Sequence, residues 1–351
     1  MSKIINIGGH IISEKSPAFI MAELSCNHLQ NYALAEKTII AMKESGADAV
    51  KLQTYTPDTI TLKCSDDIFR ISHGTLWDSK TFYELYGEAY TPWEWQPKLK
   101  KLADDLGMVC FSSPFDFTAV DFLEKMDVPA YKIASFEIND IPLLEYVASK
   151  GKPVIISTGI AHLDDIELAV ETIRKAGNEQ IIMLKCTSAY PARPEEANLL
   201  TMPDMASRFG VLTGVSDHTE GSLVPVVSVS LGAKVIEKHF ILDRKLGGPD
   251  AAFSMEPAEF KRMVQDVRSA EASLGKADYL LTEKAEKNRI FSRSLFIAED
   301  VKKGEVITPR NLRSVRPSNG LHTKHYKDLL GKKAAKDLRK GTPASLELFA
   351  D

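Results

Sequence analysis

The sequence predicts an α/β fold, a (β/α)8 barrel followed by a small β-rich module. Three observations predict it. Eight short apolar runs recur along the chain, helix-periodic segments separate them, and their spacing is nearly even. The runs end at residues 23, 53, 112, 133, 157, 185, 215 and 239, so the seven intervals are 30, 59, 21, 24, 28, 30 and 24 residues. Eight βα units of such similar length favour a closed barrel over an open doubly wound sheet.

The strands are read in order as FIMAE (19–23), AVKLQ (49–53), MVCFS (108–112), AYKI (130–133), PVIIS (153–157), IIMLK (181–185), VLTGV (211–215) and KVIEKH (234–239). Amphipathic stretches such as YALAEKTIIAMKESG, DDIELAVETIRKAG and SLVPVVSVSLG lie between them, several ending in the glycine that closes a helix. A final helix, PAEFKRMVQDVRSAEASLG, completes the barrel. The one long interval, after the second strand, holds ISHGTLWDSKTFYELYGEAYTPWEW. Its aromatic content and its place on the active-site face of a barrel mark it as a substrate-side insertion. After Gly275 the period changes to short strands, KG turns and two short helices. The expected boundaries are 1–275 for the barrel, 276–287 for a polar linker and 288–351 for the small module.

Composition narrows the function classes. The 351 residues are 44% hydrophobic and 26% charged, which excludes collagen-like and disordered chains. No run approaches the roughly 20 apolar residues of a membrane helix. The N-terminus carries charges and Pro17 where a signal peptide needs a longer apolar core. Cys26, Cys64, Cys110 and Cys186 form no CxxC pair and fit reduced thiols. A cytoplasmic protein that spans no membrane is expected. The net charge of −4 hides an asymmetry. Residues 288–351 hold 14 Lys and Arg against 7 Asp and Glu, net +7, whereas residues 1–287 hold 30 against 41, net −11. The two parts are expected to attract each other, within or between chains. Acids interspersed through the basic part, and the lack of an aromatic-basic stripe, argue against a nucleic-acid partner.

The strand ends are unusually polar, and in a barrel they face the active site. Lys51, Lys132 and Lys185 each interrupt an apolar strand. A buried lysine is costly unless paired, so an ion pair with Glu23 or Glu237 is one reading. Three lysines among several serines on one rim also read as an anion site for a phosphate and a carboxylate. His218 and His239 end adjacent strands, with Glu23 and Asp250 in reach of the same mouth. Two imidazoles with open positions suit a divalent metal such as Mn²⁺, Zn²⁺ or Fe²⁺. There is no GxGxxG opening a helix, no Walker loop and no GxSxG elbow.

The stretches AELSCNH (22–28), GADAVKLQTYTPD (46–58), FSSPFD (111–116), YKIASFEIND (131–140), PVIISTGI (153–160), LKCTSAYP (184–191), GVSDHTEG (214–221) and IEKHFILDR (236–244) together resemble the sialic acid synthase family. The C-terminal module, with DVKKGEVIT and SVRPSNGL, resembles that family's antifreeze-like (SAF) domain. Within the family, LWDSKTFYELYGEAYTPWEW (76–95), FSRSLF (291–296) and SVRPSNGLH (314–322) resemble the pseudaminic acid branch. Ser188, where the neuraminate branch usually has Asn, points the same way. GGPDAAFSMEP (247–257) departs, being closer to the neuraminate branch.

The resemblance implies a condensation of phosphoenolpyruvate with an N-acylated amino-sugar aldehyde, here 2,4-diacetamido-2,4,6-trideoxy-L-altrose, and water. The carbon–oxygen bond of phosphoenolpyruvate breaks, giving pseudaminic acid and phosphate. The alternatives within the family are N-acetylneuraminate and legionaminate synthesis. A different class is a metal-free aldolase using Lys132 or Lys185 as a Schiff base. A non-catalytic sugar-binding module leaves the interior lysines and histidines without a purpose. The resemblance also assigns expected roles. Lys51, Gln53, Ser112, Lys132, Ser135, Ser157, Ser188 and Ser216 hold phosphoenolpyruvate. His218 and His239 hold the metal, Mn²⁺ foremost, with Mg²⁺ or Co²⁺ as alternatives. Glu23 and Glu137 are acid/base groups or sugar contacts, and Tyr190, Asp250, Phe291 and Arg316 line the sugar side. The expected assembly is a homodimer in which the SAF domain of one subunit covers the barrel of the other and Arg316 crosses between them. Trp77, Tyr83, Trp93 and Trp95 either favour a 6-deoxy sugar or pack against the barrel.

Overall fold

The structure is a computed structural model that describes residues 3–72 and 74–351. The chain divides into two compact units, the first ending at Gly275 and the second running Lys276–Asp351. None of the described helices is long and apolar enough to cross a membrane.

The first unit opens with an antiparallel hairpin, β1 (Ile4–Ile7) and β2 (His10–Ser13), which sequence reasoning had not identified. Eight parallel strands follow: β3 (Phe19–Glu23), β4 (Ala49–Thr54), β5 (Val109–Pro114), β6 (Tyr131–Ile133), β7 (Val154–Ser157), β8 (Ile181–Cys186), β9 (Leu212–Asp217) and β10 (Val235–His239). They form a closed barrel, β10 pairing β3. Each begins and ends within about two residues of the predicted run, because a fully buried parallel strand leaves an uninterrupted apolar signature.

Helices cover the outside. Tyr32–Glu44 starts at an Asn31 cap whose side chain accepts from the Leu34 amide. Leu163–Lys175, Leu223–Ser230 and Pro257–Leu274 fall on predicted segments. The glycines that end them (Gly46, Gly177, Gly232, Gly275) all have positive φ, which glycine adopts without a Cβ penalty. Two apolar clusters share the barrel, one centred on Phe111, Tyr131, Ile155 and Met183, the other on Ile20, Val50, Ile236 and Phe260.

Two registers position the site. Glu23 on β3 stands beside His239 on β10 and beside Lys51 on β4. Glu237 on β10 stands beside Ser216 on β9, which stands beside Cys186 on β8. Because side chains alternate every second residue, 23, 51, 237 and 239 share the inner face.

The insertion after β4 folds around helix Phe82–Ala89. Its capping box pairs the Thr81 hydroxyl with the Glu84 amide, and the Glu84 carboxylate with the Thr81 amide. The second unit has its own small core of Leu295, Ile297, Val301, Ile307, Leu312, Leu329 and Leu338 around the antiparallel pair β11 (Ser294–Ile297) and β12 (Leu312–Val315).

Candidate active site

One cavity of about 530 Å³ opens at the C-terminal ends of the barrel strands. Glu23, Lys51, Gln53, Lys132, Ser135, Glu137, Ser157, Tyr190, Ser216, His218, His239 and Asp250 all line it. Twelve sequence candidates from seven strands and the loops behind them thus converge.

Its floor is a buried ion network. Lys51 Nζ lies 2.9 Å from Glu23 Oε2 and 3.0 Å from Glu237 Oε1. Lys132 Nζ lies 3.6 Å from the same Glu237 oxygen and donates to Ser157 Oγ at 2.7 Å. Ser216 donates to Glu237 Oε1 at 2.7 Å, and Gln53 to Glu23 Oε1 at 2.8 Å. The ion-pair reading therefore holds as geometry for Lys51 and Lys132, not for Lys185, and it does not exclude the anion reading. A bound anion adds hydrogen-bond acceptors beside ammonium groups that already sit in the cavity wall.

Electrostatics differentiates the groups. Burial opposes the charge of Lys51, but Glu23 and Glu237 outweigh it and hold the ammonium above its ordinary range. For Lys132 burial wins and lowers it, with Glu237 opposing. Burial also opposes ionisation of Glu23 and Glu237. His239 and Lys51 outweigh it at Glu23, and Lys132 and Lys51 at Glu237, so both stay below the usual carboxylate range. At Glu137 burial outweighs the opposing charge of Lys132, and pushes the carboxyl up to about 7. The residue as a whole is half-buried, yet its Oε2 is shielded and has no hydrogen-bond partner.

The rings of His218 and His239 lie with centroids 5.2 Å apart. His218 Nδ1 is 2.9 Å from the Thr187 carbonyl oxygen, which can only accept, so Nδ1 carries the hydrogen and Nε2 keeps its lone pair. His239 Nε2 is 3.1 Å from Glu23 Oε2, while its Nδ1 is buried with no hydrogen-bond partner and lies 3.7 Å from Asp250 Oδ2. Two imidazole lone pairs therefore go unused side by side, as a two-histidine metal site with open positions requires. Among the described residues no group of three or more His, Cys, Asp or Glu forms a metal-binding set.

A tight cradle adjoins the cavity and shares Ser135 and Cys186 with its lining. A Cβ added to Gly159 would sit 2.1 Å from Ser188 Oγ, 2.8 Å from Ser135 Oγ and 3.1 Å from Cys186 Sγ. The Gly159 amide donates to Ser135 Oγ at 3.1 Å. Only glycine lets these groups approach, and the result is a backbone and hydroxyl pocket suited to an oxyanion. Cys186 is also 4.0 Å from His218 Nδ1.

Four candidates stand elsewhere. Ser112 points away from the cavity and shares a hydrogen with Thr54 Oγ at 2.6 Å, since it has the outward parity of β5. Ser188 belongs to the Gly159 cradle without reaching the main cavity. Phe291, which ends the turn Asn288–Phe291, and Arg316, just past β12, both belong to the second unit. Lys185 also has outward parity and donates to its neighbour's carbonyl, on Cys186, at 2.7 Å. The third interior lysine is thus replaced at the mouth by a cysteine.

Sequence reasoning offered Glu237 as an ion-pair partner of the lysines and gave no site role to Ser25, Cys26, Tyr55, Cys186 or Phe253; all six line the cavity. The signal for Glu237 was present, since it shares strand parity with His239. Of the four aromatics singled out in the insertion, only Trp77 lines the cavity. Trp93 donates to the Tyr55 carbonyl oxygen at 3.0 Å, Trp95 packs on His28 and Tyr32, and Tyr83 donates to Asp58 at 3.1 Å. Those three secure the insertion to its surroundings.

Comparison with known proteins agrees with this geometry. The family description NeuB matches residues 38–279, and the SAF domain matches residues 292–350. A pseudaminic acid synthase of Helicobacter pylori is 48% identical over 332 residues, 94% of this chain and 97% of that protein. A pseudaminic acid synthase of Campylobacter jejuni is 49% identical over 92% of this chain and 94% of that protein. Among solved structures, an N-acetylneuraminic acid synthetase of Leptospira borgpetersenii superposes with a TM-score of 0.73 at 30% identity, covering 82% of this chain and 95% of that one.

Proposed function

The chain belongs to the NeuB family, and from that premise we infer that it condenses phosphoenolpyruvate with 2,4-diacetamido-2,4,6-trideoxy-L-altrose and water to give pseudaminic acid and phosphate. One observation carries the reaction class. A single cavity joins the Lys51–Lys132 serine cluster to the His218–His239 pair, so an anionic three-carbon donor and a polarised aldehyde can meet there. The share of identity with pseudaminic acid synthases carries the choice of sugar.

The residues divide the work. Lys51 and Lys132, with Gln53, Ser157 and Ser216, hold the carboxylate and phosphate of phosphoenolpyruvate, and Ser135 at the edge of the Gly159 cradle supplies a further donor, whereas Ser188 stays outside the cavity. Glu237 acts through Lys51, Lys132 and Ser216 as a positioning residue, keeping both ammonium groups in place in an apolar barrel. Ser112 is left out, since its hydroxyl is engaged with Thr54. The aldehyde of the open-chain sugar lies toward His218 and His239, with Tyr190 and Asp250 beside it. A divalent metal, Mn²⁺ foremost, held by the two imidazoles supplies Lewis acidity toward the aldehyde oxygen when bound.

The chemistry needs C3 of phosphoenolpyruvate to attack the aldehyde carbon and water to add at C2. The resulting tetrahedral centre then expels phosphate, leaving the 2-keto acid. Glu23, held ionised, takes the proton from that water. Glu137, pushed up to about 7 by burial, gives a proton to a developing hydroxyl or to phosphate. Two carboxyl groups whose surroundings push them in opposite directions suit one base and one acid.

We extend the reading to assembly. The SAF module serves the barrel of a second subunit through linker 276–287, bringing Arg316 and Phe291 to the sugar side. The +7 charge of residues 288–351 against −11 for residues 1–287 supports it. The reading of function is tested by phosphate release with a panel of acceptors: the trideoxy-altrose, N-acetylmannosamine and the legionaminic precursor. The highest kcat/KM is expected with the first. A higher value with either of the others reassigns the sugar and leaves the chemistry intact.

A further inference from the structure

One segment supplies a large apolar part of the cavity wall. Between Tyr55 and Ala89 every described lining residue is uncharged, whereas the strand-end side carries all the ionic groups. Helix Phe82–Ala89 explains the concentration. Phe82, Leu85, Tyr86 and Ala89 all line the cavity, and their spacing of three, four and seven residues is one stripe of a helix. Such a stripe ordinarily buries itself in a solid core. Here Leu85 and Ala89 are 7% and 8% exposed, yet they face an open chamber with Ile71 beside them. Trp77 lines the same chamber. Its indole Nε1 donates to the Pro249 carbonyl oxygen at 3.0 Å, and its ring rests on Tyr190, with centroids 5.6 Å apart. Tyr190 in turn packs on His218 at 4.5 Å. The apolar wall is therefore continuous with the imidazole pair.

We propose that this helix stripe, latched by Trp77, is the recess for the C6 methyl group of a deoxy acceptor, and that it sets the selectivity for 6-deoxy sugars. The inference rests on the condensation described above and names the residues that select its acceptor. A methyl group gains by leaving water for this wall. A hydroxymethyl group in the same place buries a hydroxyl with few polar partners. The helix stripe offers it one hydroxyl, that of Tyr86, and no charge. An apolar pocket rejects an added hydroxyl by roughly 10- to 100-fold, so moderate rather than absolute selectivity is expected.

The experiment compares kcat/KM for a matched pair of acceptors, 2,4-diacetamido-2,4,6-trideoxy-L-altrose and its 6-hydroxy counterpart, by phosphate release. The full-length parent enzyme should prefer the deoxy sugar by roughly 10-fold or more. In Leu85→Asn, and separately in the half-buried Phe82→Gln, the ratio should fall at least about fivefold while KM for phosphoenolpyruvate stays within about twofold, a polar group now meeting the hydroxyl. The second variant keeps the test decisive should Leu85→Asn fail to fold. A parent ratio near one overturns the inference and leaves the condensation standing. So does an unchanged ratio in the variants that still bind phosphoenolpyruvate. No phosphate release with either acceptor overturns the condensation reading, and the inference with it.

Discussion

At the scale of single residues, the site is organised by how burial is compensated. Glu23, Lys51, Glu237 and Lys132 compensate one another through ion pairs, and Glu137, where burial outweighs the charge of Lys132, stands apart. That contrast makes a pH prediction. The Glu137 carboxyl titrates near 7 in the folded protein against an ordinary 4.5. The folded state thus holds a proton that the unfolded chain has released. Stability falls as pH rises from about 4.5 to about 7, and the full penalty is present above 7. Glu137→Gln should therefore be more stable than the parent above pH 7, by about 2 kcal/mol once partial exposure is discounted, and equal to it near pH 4. Denaturant midpoints at the two pH values check this. The same substitution should remove a limb with its half-point near 7 from the pH profile of kcat/KM. A profile unchanged by the substitution rules Glu137 out as the acid.

The imidazole pair makes a second prediction at this scale. His218→Ala or His239→Ala should cost at least about 10²-fold in rate, the scale of a lost Lewis acid. EDTA should abolish activity and Mn²⁺ restore it. Calorimetric titration with Mn²⁺ should show one site in the parent and none in either variant. Full turnover in a rigorously metal-free preparation would sink the metal assignment.

At the scale of elements, the barrel is legible because its strands are buried on both faces and read as continuous apolar runs. Side-chain parity was harder. Ser112 and Lys185 were chosen by residue type at strand ends, and both fall on the outward face. A shift of one residue exchanges the faces, and residue type alone does not set the phase. The register between β9 and β10 offers a direct test. Gly214 stands beside Val235, and a Cβ there would lie 2.1 Å from the Val235 carbonyl oxygen and 2.9 Å from Leu184 Cδ2. Backbone cannot yield as a flexible side chain does. Gly214→Ala should lower stability by about 1–3 kcal/mol or more, read as a fall in Tm. An unchanged Tm would show that the two strands separate at little cost. The hairpin β1–β2 escaped notice for a similar reason, its strands being four residues each with only one face buried.

At the scale of the whole molecule, the proposed division of labour between subunits is testable with two inactive proteins. Arg316→Ala lacks the arginine, and His239→Ala lacks the imidazole. Mixed under conditions that allow subunit exchange, a heterodimer with crossed SAF modules has one site carrying both defects and one carrying neither. Activity should reappear toward half of the parent's value per heterodimer. No recovery, with exchange shown independently, places Arg316 in its own subunit's site or in none. The +7 charge of residues 288–351 against −11 for residues 1–287 predicts that the activity recovered in such a heterodimer falls as salt rises, since charge pairing at a surface is screened within about 10 Å at 0.1 M.

The sequence by itself determined the barrel, the βα order, the change of period after Gly275 and most of the polar rim, including both imidazoles and two of its lysines. It could do so because strand burial and helix periodicity are local and repeat eight times. Only the tertiary structure decided which polar strand ends face inward, that Glu23 and Glu237 both join the lysines, that Gly159 opens a cradle and that Trp77 alone among four aromatics reaches the cavity. Those facts depend on the phase of each strand and on contacts between segments more than a hundred residues apart, such as Trp77 with Pro249. Neither is encoded in spacing along the chain, because closing the barrel fixes the phase of every strand through its two neighbours at once.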